Sequence, residues 1–273
     1  MNLGGKTVLI TGSTDGVGRA VAKRLAADGA HVLVHGRNRE RGESLVAAIA
    51  ASGKGKATLY LADLASLAEV RRLAREVLAD NRRIDVLINN AGAGFVPDER
   101  QLTPDGLELR FAVNYLAGFL LTHLLLPTLL ASAPARIVNV SSIGQSPIDF
   151  DDAMMEKSWL GGRVAYTQSK LAQVMFTFDL ADELAGKGVT VTALHPATFM
   201  DTNMVRSAGV TPQSTVAEGA GAILALAADP RHAGTTGTFY NGLNEARANE
   251  QAYDNAARIR LRDLSRKLAG LGG

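Results

Sequence analysis

The chain contains no cysteine, which excludes disulfides, thiolate metal ligands and a thiol nucleophile. It also lacks an excess of charge of either sign. The 29 basic and 27 acidic residues leave a net charge of +2, and they are interspersed, so no basic face announces a nucleic acid or an anionic membrane. Its five histidines, His31, His35, His123, His195 and His232, have no ligand spacing; no metal is expected, and most read as surface residues of strands or helices. Between Met1 and the first apolar run, Thr7-Val8-Leu9-Ile10, there is no room for a signal peptide, and a cytoplasmic protein is expected. The most apolar stretch, Leu116 to Leu130, is interrupted by Thr122, His123, Pro127 and Thr128. It falls short of the ~20 residues a membrane span needs and reads as a buried helix.

What is present is small and aliphatic. Aromatics make up 5% of a chain that is 47% hydrophobic and holds 28 glycines, a profile suited to a parallel sheet covered by helices. Short apolar runs recur at Thr7–Thr11, His31–His35, Lys56–Leu61, Ile84–Asn89, Arg136–Ser141, Val189–Leu194 and Thr238–Tyr240. Stretches of helical period lie between them at Val17–Ala27, Arg39–Ala51, Leu67–Ala79, Asp105–Ala131 and Ala165–Ala185. Alternation of this kind predicts an α/β fold, a single Rossmann-type domain over residues 1–273 with about seven parallel strands doubly wound by helices. No linker or repeat divides it. Two insertions, near residues 145–163 and 198–215, are expected beside the site, and a charged helix near 251–268 closes the chain. Ligands of such sheets bind beyond the carboxyl ends of the strands.

The segment Thr11-Gly12-Ser13-Thr14-Asp15-Gly16-Val17-Gly18 follows the first strand and opens the first helix. Glycines there permit positive φ and close approach of a pyrophosphate, and the helix N-terminus offers free N–H groups. A glycine turn packed against the sheet is the competing reading. The spacing Gly-x-x-x-Gly-x-Gly departs from the Gly-x-Gly-x-x-Gly fingerprint.

That spacing resembles the short-chain dehydrogenase/reductase family, and the resemblance runs from about Lys6 to Tyr240. The stretch Phe111-Ala112-Val113-Asn114-Tyr115-Leu116-Ala117-Gly118-Phe119 and the tail from Ala252 to Leu268 are similar to the retinol-dehydrogenase-like and protochlorophyllide-reductase-like branch. The resemblance implies a dinucleotide held by Gly12, Ser13, Thr14, Asp15, Gly16, Val17 and Gly18, by Asp63 and Leu64 against the adenine, and by Asn90, Ala91 and Gly92 along its ribose. After the second strand comes His35-Gly36-Arg37-Asn38. Gly36 stands where the family places an acidic residue for NAD, and Arg37 follows to pair with a 2′-phosphate. NADP(H) is therefore expected, with NAD tolerated if Arg37 is merely solvated.

Tyr166-Thr167-Gln168-Ser169-Lys170 puts a phenol and an ammonium one helical turn apart on one face. A free phenol titrates near ~10, and a neighbouring cation is expected to lower it toward neutrality. Alone the pattern is weak. The resemblance adds Ser142, in Asn139-Val140-Ser141-Ser142, to hold the substrate oxygen, with Ser141 as the structural runner-up, and adds Asn114, which bends its helix and holds a water leading to the lysine. The implied tetrad is Asn114, Ser142, Tyr166 and Lys170, with Tyr166 and Lys170 also meeting the cofactor. Pro196-Ala197-Thr198 departs from the family's Pro-Gly, which leaves open whether Thr198 or Thr202 contacts the cofactor; Thr198 is taken.

Phe150, Met154, Met155 and Trp159 in the first insertion, with Phe199, Met200, Met204 and Val205 in the second, are expected to line an apolar pocket or to pack beneath loops. The expected reaction interconverts a carbonyl and an alcohol on a lipophilic small molecule. The apolar helices at 105–131 and 165–185 suggest a homodimer or homotetramer, the pairing the family makes. A non-catalytic dinucleotide sensor on the same fold is the rival, and it predicts loss of Tyr166 or Lys170. An extended epimerase or dehydratase lacks the glycine spacing seen here, and a light-driven double-bond reductase uses a cysteine that this chain lacks.

Overall fold

The computed structural model describes residues 2–272. Strands β1 (Thr7–Ile10), β2 (His31–Gly36), β3 (Lys56–Leu61), β4 (Val86–Asn89), β5 (Ala135–Val140), β6 (Val189–His195) and β7 (Thr238–Asn241) are all parallel. They stand in the order β3-β2-β1-β4-β5-β6-β7, so the winding reverses between β1 and β4. An eighth strand, β8 (Asn244–Glu245), joins β7 antiparallel. Two polar residues carry no apolar pattern, which is why this strand is invisible in the sequence.

Alternation along the strands builds two cores. Leu9, Leu33, Leu87, Ile137 and Val191 face one layer, packed by α3 (Leu67–Asp80), α4 (Ala117–Ala131) and α5 (Gly162–Glu183). Val8, Ile10, Val32, Val34, Ile88 and Val138 face the other, packed by α1 (Gly16–Ala27), α2 (Arg39–Ser52) and α7 (Val216–Ala228). Between β6 and α7 lies the short α6 (Asn203–Ser207). The sequence reading passed over α7, whose start carries a complete capping box in which the Thr215 hydroxyl takes the Glu218 N–H and the Glu218 carboxylate takes the Thr215 N–H.

The expected helix at 105–131 begins later, at Phe111. Gly106 at φ +77 turns the chain, and Leu102 bridges Glu108 instead. Its first six residues, Phe111–Leu116, form a π-helical turn that runs into α4. The combined Phe111–Ala131 segment has 21 residues and is long and apolar enough to cross a membrane, contrary to the estimate from the interrupted run; more than half of it is buried in the molecule. The terminal helix α8 (Asn255–Leu268), capped by Asp254, lies across α5 through Arg258–Asp182 at 3.0 Å and Arg262–Asp179 at 3.1 Å. Part of the α5 surface that suggested subunit pairing is thereby covered within the chain.

Candidate active site

The glycine loop is shaped by contacts that admit no side chain. Gly12 (φ +64) and Gly16 (φ +51) occupy left-handed backbone, and a Cβ on Gly18 would sit 2.3 Å from the Gly12 carbonyl oxygen. Asn90 fixes the loop from β4, donating from Nδ2 to Thr11 O at 2.9 Å and Gly12 O at 3.1 Å. Asp15 caps α1 by accepting the Gly16 N–H at 2.8 Å. Its carboxylate also takes Arg41 at 2.9 Å and Asn203 at 2.8 Å. Burial opposes ionisation, yet the Asn203 and Gly16 hydrogen bonds and the Arg41 and Arg19 charges outweigh it and hold Asp15 below its ordinary range.

From this loop a cavity of about 760 Å³ runs over the carboxyl ends of the strands, past Arg37, Asp63 and Asn90, to Ser142, Tyr166 and Lys170. It reaches every expected cofactor residue except Ser13. That side chain is fully buried and faces β2, its hydroxyl accepting the His35 N–H at 3.0 Å, so it anchors the loop. Arg37 is 77% exposed and, among the described residues, reaches only the half-exposed Asp63, at 3.5 Å, a pair of small net value. Thr14 fills the place a side chain at position 36 would need: a Cβ on Gly36 would lie 2.5 Å from Thr14 Cγ2. Arg41 also lines the cavity; the sequence reading missed it, although its place in the first turn of α2 was a usable signal. Thr198 and Thr202 both line the wall. Thr202 caps α6 and sets its methyl against Gly16, whereas the Thr198 hydroxyl lies 3.1 Å from His195 Nε2.

At the far end, burial raises the Tyr166 phenol above its ordinary value, a hydrogen bond with Ser142 acting the other way. The lowering expected from Lys170 is not seen. The Lys170 ammonium sits 5.6 Å from the Tyr166 ring centre, and burial pushes it down to about 7. Its Nζ donates to Val140 O and to Gln173 Oε1, both at 2.9 Å. The two serines diverge: Ser142 faces Tyr166, while Ser141 donates to the Lys170 carbonyl at 2.7 Å. Asn114 lies within the π turn and off the cavity wall. Its side chain accepts the Ala93 N–H at 2.6 Å and donates to Ser169 Oγ at 2.9 Å, so it ties the loop after β4 to α5.

His35 and His195 are buried, and His31, His123 and His232 are half-buried. His195 is buried on β6 and held to about 4 by burial and the Lys170 charge. The sequence reading also missed Arg110 and Glu108, an ion pair at 3.1 Å that is wholly buried. Arg110 grips the carbonyls of Gly94, Phe95 and Pro97, and Glu108 takes the Phe111 N–H at 2.8 Å. A charged Glu-Leu-Arg at the head of an apolar helix was the available clue. Their grip shapes the loop that sets Phe95 edge-on to Tyr166, ring centres 6.2 Å apart.

The two insertions divide between the two expected roles, pocket lining and packing. Phe199, Met200, Met204 and Val205 line the cavity, but Met155 is buried, Phe150 and Met154 pack on the core, and Trp159 binds the Asp98 carbonyl at 2.8 Å. Their places are taken by Phe95, Val113 and Ile143. The first insertion packs instead because Asp152 folds it into a turn, its carboxylate accepting the N–H groups of Glu156, Lys157 and Ser158.

Residues 6–212 match the family model described as short chain dehydrogenase. Human retinol dehydrogenase 14 is 38% identical over 98% of this chain and 87% of its own length. Mouse retinol dehydrogenase 13 is 37% identical over 98% of the chain and 84% of its own. Among solved structures, an uncharacterised protein of Mycobacterium paratuberculosis superposes with a TM-score of 0.78 at 30% identity, covering 98% of this chain and 95% of that one. A Burkholderia cenocepacia short chain dehydrogenase in complex with NADP superposes with a TM-score of 0.70 at 30% identity, over 88% and 97% of the two chains.

Proposed function

The chain belongs to the short-chain dehydrogenase family, an oxidoreductase acting on alcohol or carbonyl groups, and we propose that it reduces the carbonyl of a lipophilic small molecule with NADPH. One observation carries this reading: a single cavity joins the glycine loop and Arg37 to Ser142, Tyr166 and Lys170. The residues fit the cofactor. Gly18 leaves open the space a Cβ would close, the α1 N-terminus supplies N–H groups for the pyrophosphate, and Arg37, with Arg41 on the wall of the same cavity, supplies charge for a 2′-phosphate. The NADP complexes of the Burkholderia enzyme and of Pseudomonas aeruginosa RhlG support the same choice. Asp63 and Leu64 would hold the adenine, Asn90, Ala91 and Gly92 the ribose, and Thr198, or Thr202 beside Gly16, the nicotinamide end.

NADPH, when bound, supplies the hydride that goes to the carbonyl carbon. Tyr166 gives its phenolic proton to the carbonyl oxygen, and its raised pKa keeps that proton in place at neutral pH until the oxygen becomes basic. Ser142 Oγ donates a hydrogen bond to the same oxygen and holds it in line with Tyr166. Lys170 binds the ribose and stabilises the phenolate left behind. Asn114 keeps the wall at Ala93 in register with α5. Phe95, Met200 and Met204 would pack on the apolar body of the substrate.

The test is a panel of aldehydes and ketones with NADPH and NADH, followed at the nicotinamide absorbance. Reduction by NADPH is expected, and Tyr166→Phe should lower kcat/KM by about 10²–10⁴-fold while NADPH binding survives. Wild-type turnover in Tyr166→Phe sinks the mechanism. The sensor reading would be favoured only if no carbonyl is reduced while NADPH still binds.

A further inference from the structure

Lys170 is a buried amine whose charge meets no carboxylate among the described residues. Both acceptors of its Nζ, the Val140 carbonyl and Gln173 Oε1, are neutral. The groups facing it are the Tyr166 ring from its own helix, His195 from β6, and the Gly92 backbone from the loop after β4, beyond which Asn114 bonds Ser169. His195 is itself held neutral, and the others carry no charge. Burial works against its charge, and among the described residues Gln173 is the only side chain that supplies a hydrogen bond to hold it.

Gln173 sits one turn beyond Lys170 on α5 and is 3% exposed. An ammonium only donates, so the amide must present its oxygen. The helix beneath is fixed in turn. Thr177 donates to the Gln173 carbonyl at 2.8 Å, Asn139 Nδ2 donates to Thr177 at 2.8 Å, and Asn89 Nδ2 donates to Asn139 Oδ1 at 2.9 Å. This buried ladder binds α5 to β5 and β4 and sets the height of Gln173 against Val140.

We propose that Gln173 is a positioning residue for Lys170, its Oε1 pinning the ammonium against Val140 so that one N–H remains for the cavity. It acts through Lys170 alone and has no place in the cavity wall. The proposal rests on the reading that Lys170 serves carbonyl reduction. It goes beyond that reading by naming what keeps the lysine charged and aimed.

The test compares wild type with Gln173→Leu, Gln173→Glu and Gln173→Asn, measuring kcat/KM for carbonyl reduction by NADPH against pH, together with the Kd for NADPH by fluorescence and Tm. Reduction requires the charged lysine, so the rate falls as pH rises through its pKa. Leucine removes an acceptor and disfavours the charged form, so the alkaline limb moves down by about half a unit or more; glutamate adds a counter-charge and moves it up. Gln173→Leu should also lose about tenfold in kcat, and Gln173→Asn should recover part of it. Limbs that stay with wild type, or that move the same way in both variants, overturn the proposal. If Gln173→Leu does not fold, Gln173→Glu and Gln173→Asn still decide it. If no carbonyl is reduced but the pH dependence of the NADPH Kd shifts in opposite directions in the two variants, the function reading fails and the role of Gln173 stands.

Discussion

Nδ1 of His35 accepts the main-chain N–H of Gly12 at 3.1 Å, while its Nε2 lies 3.2 Å from the Ala62 carbonyl. The pair fixes the tautomer: Nδ1 accepts, Nε2–H donates, and the ring is neutral. The end of β2 thus holds the glycine loop from behind, as Asn90 holds it from β4.

Burial pushes the His35 pKa down to about 4, the Ala62 and Asp63 contributions opposing. A protonated ring cannot accept from Gly12. Because the folded pKa lies below the unfolded value, the contribution of His35 to stability is complete above the unfolded pKa of ~6.5 and is lost as pH falls through about 4. His35→Leu should lower stability at neutral pH by about 1–3 kcal/mol by stranding the Gly12 N–H. Its Tm should also fall less steeply than that of wild type between those pH values. Parallel Tm curves would mean that His35 does not titrate with folding.

Ser141 and Ser142 are neighbours with different work, and substitution should separate them. Ser142→Ala removes the hydroxyl facing Tyr166, and kcat/KM for carbonyl reduction should fall by about 10²–10³-fold with little change in Tm. Ser141→Ala removes a buried hydrogen bond to the Lys170 carbonyl and should cost about 1 kcal/mol of stability with a far smaller kinetic effect. The reverse pattern of losses would assign the catalytic hydroxyl to Ser141.

The strands and the glycine loop were legible in the sequence because apolar runs broken by Gly and Asn reflect burial on both faces of a parallel sheet. Gly12, Gly16 and Gly18 stood out because only glycine meets their φ or their contacts. What escaped was set by packing between distant segments. His35 looks like any strand histidine until Gly12 and Ala62 close on it, and Phe95 reaches the site only because Arg110 and Glu108 fold its loop. Phe150, Met154 and Trp159 had the composition of a pocket and became packing, since composition does not say which way a turn points.

Arg37 tests cofactor choice. Its only partner among the described residues is the half-exposed Asp63 carboxylate at 3.5 Å, so its removal should leave Tm almost unchanged. Loss of a charged bond to a 2′-phosphate is worth about 1.5–3 kcal/mol, so Arg37→Ala should raise the NADPH KM by roughly 10–100-fold and the NADH KM by much less. Arg41→Ala should act more weakly on NADPH, because Arg41 is already paired with Asp15 at 2.9 Å. Equal effects of Arg37→Ala on both cofactors would mean that it does not read the phosphate.

Gly36 and Thr14 make a coupled pair. An acidic residue at position 36 would be expected to favour NADH by accepting from the adenosine ribose, but its Cβ would lie 2.5 Å from Thr14 Cγ2 and 2.6 Å from Thr14 Oγ1. Both segments are fixed, Thr14 by the loop anchored through Ser13 and position 36 by β2, so neither yields cheaply. Gly36→Asp alone should therefore lower stability by about 1–3 kcal/mol and weaken both cofactors. Thr14→Ala removes the two closest atoms and leaves a Cβ at 3.1 Å, a contact that a shift of a few tenths of an ångström relieves. The double variant should recover most of the lost Tm and turn the preference from NADPH toward NADH. A double-mutant cycle on Tm reads the coupling directly, and simple additivity of the two substitutions would show that Thr14 is not what keeps position 36 a glycine.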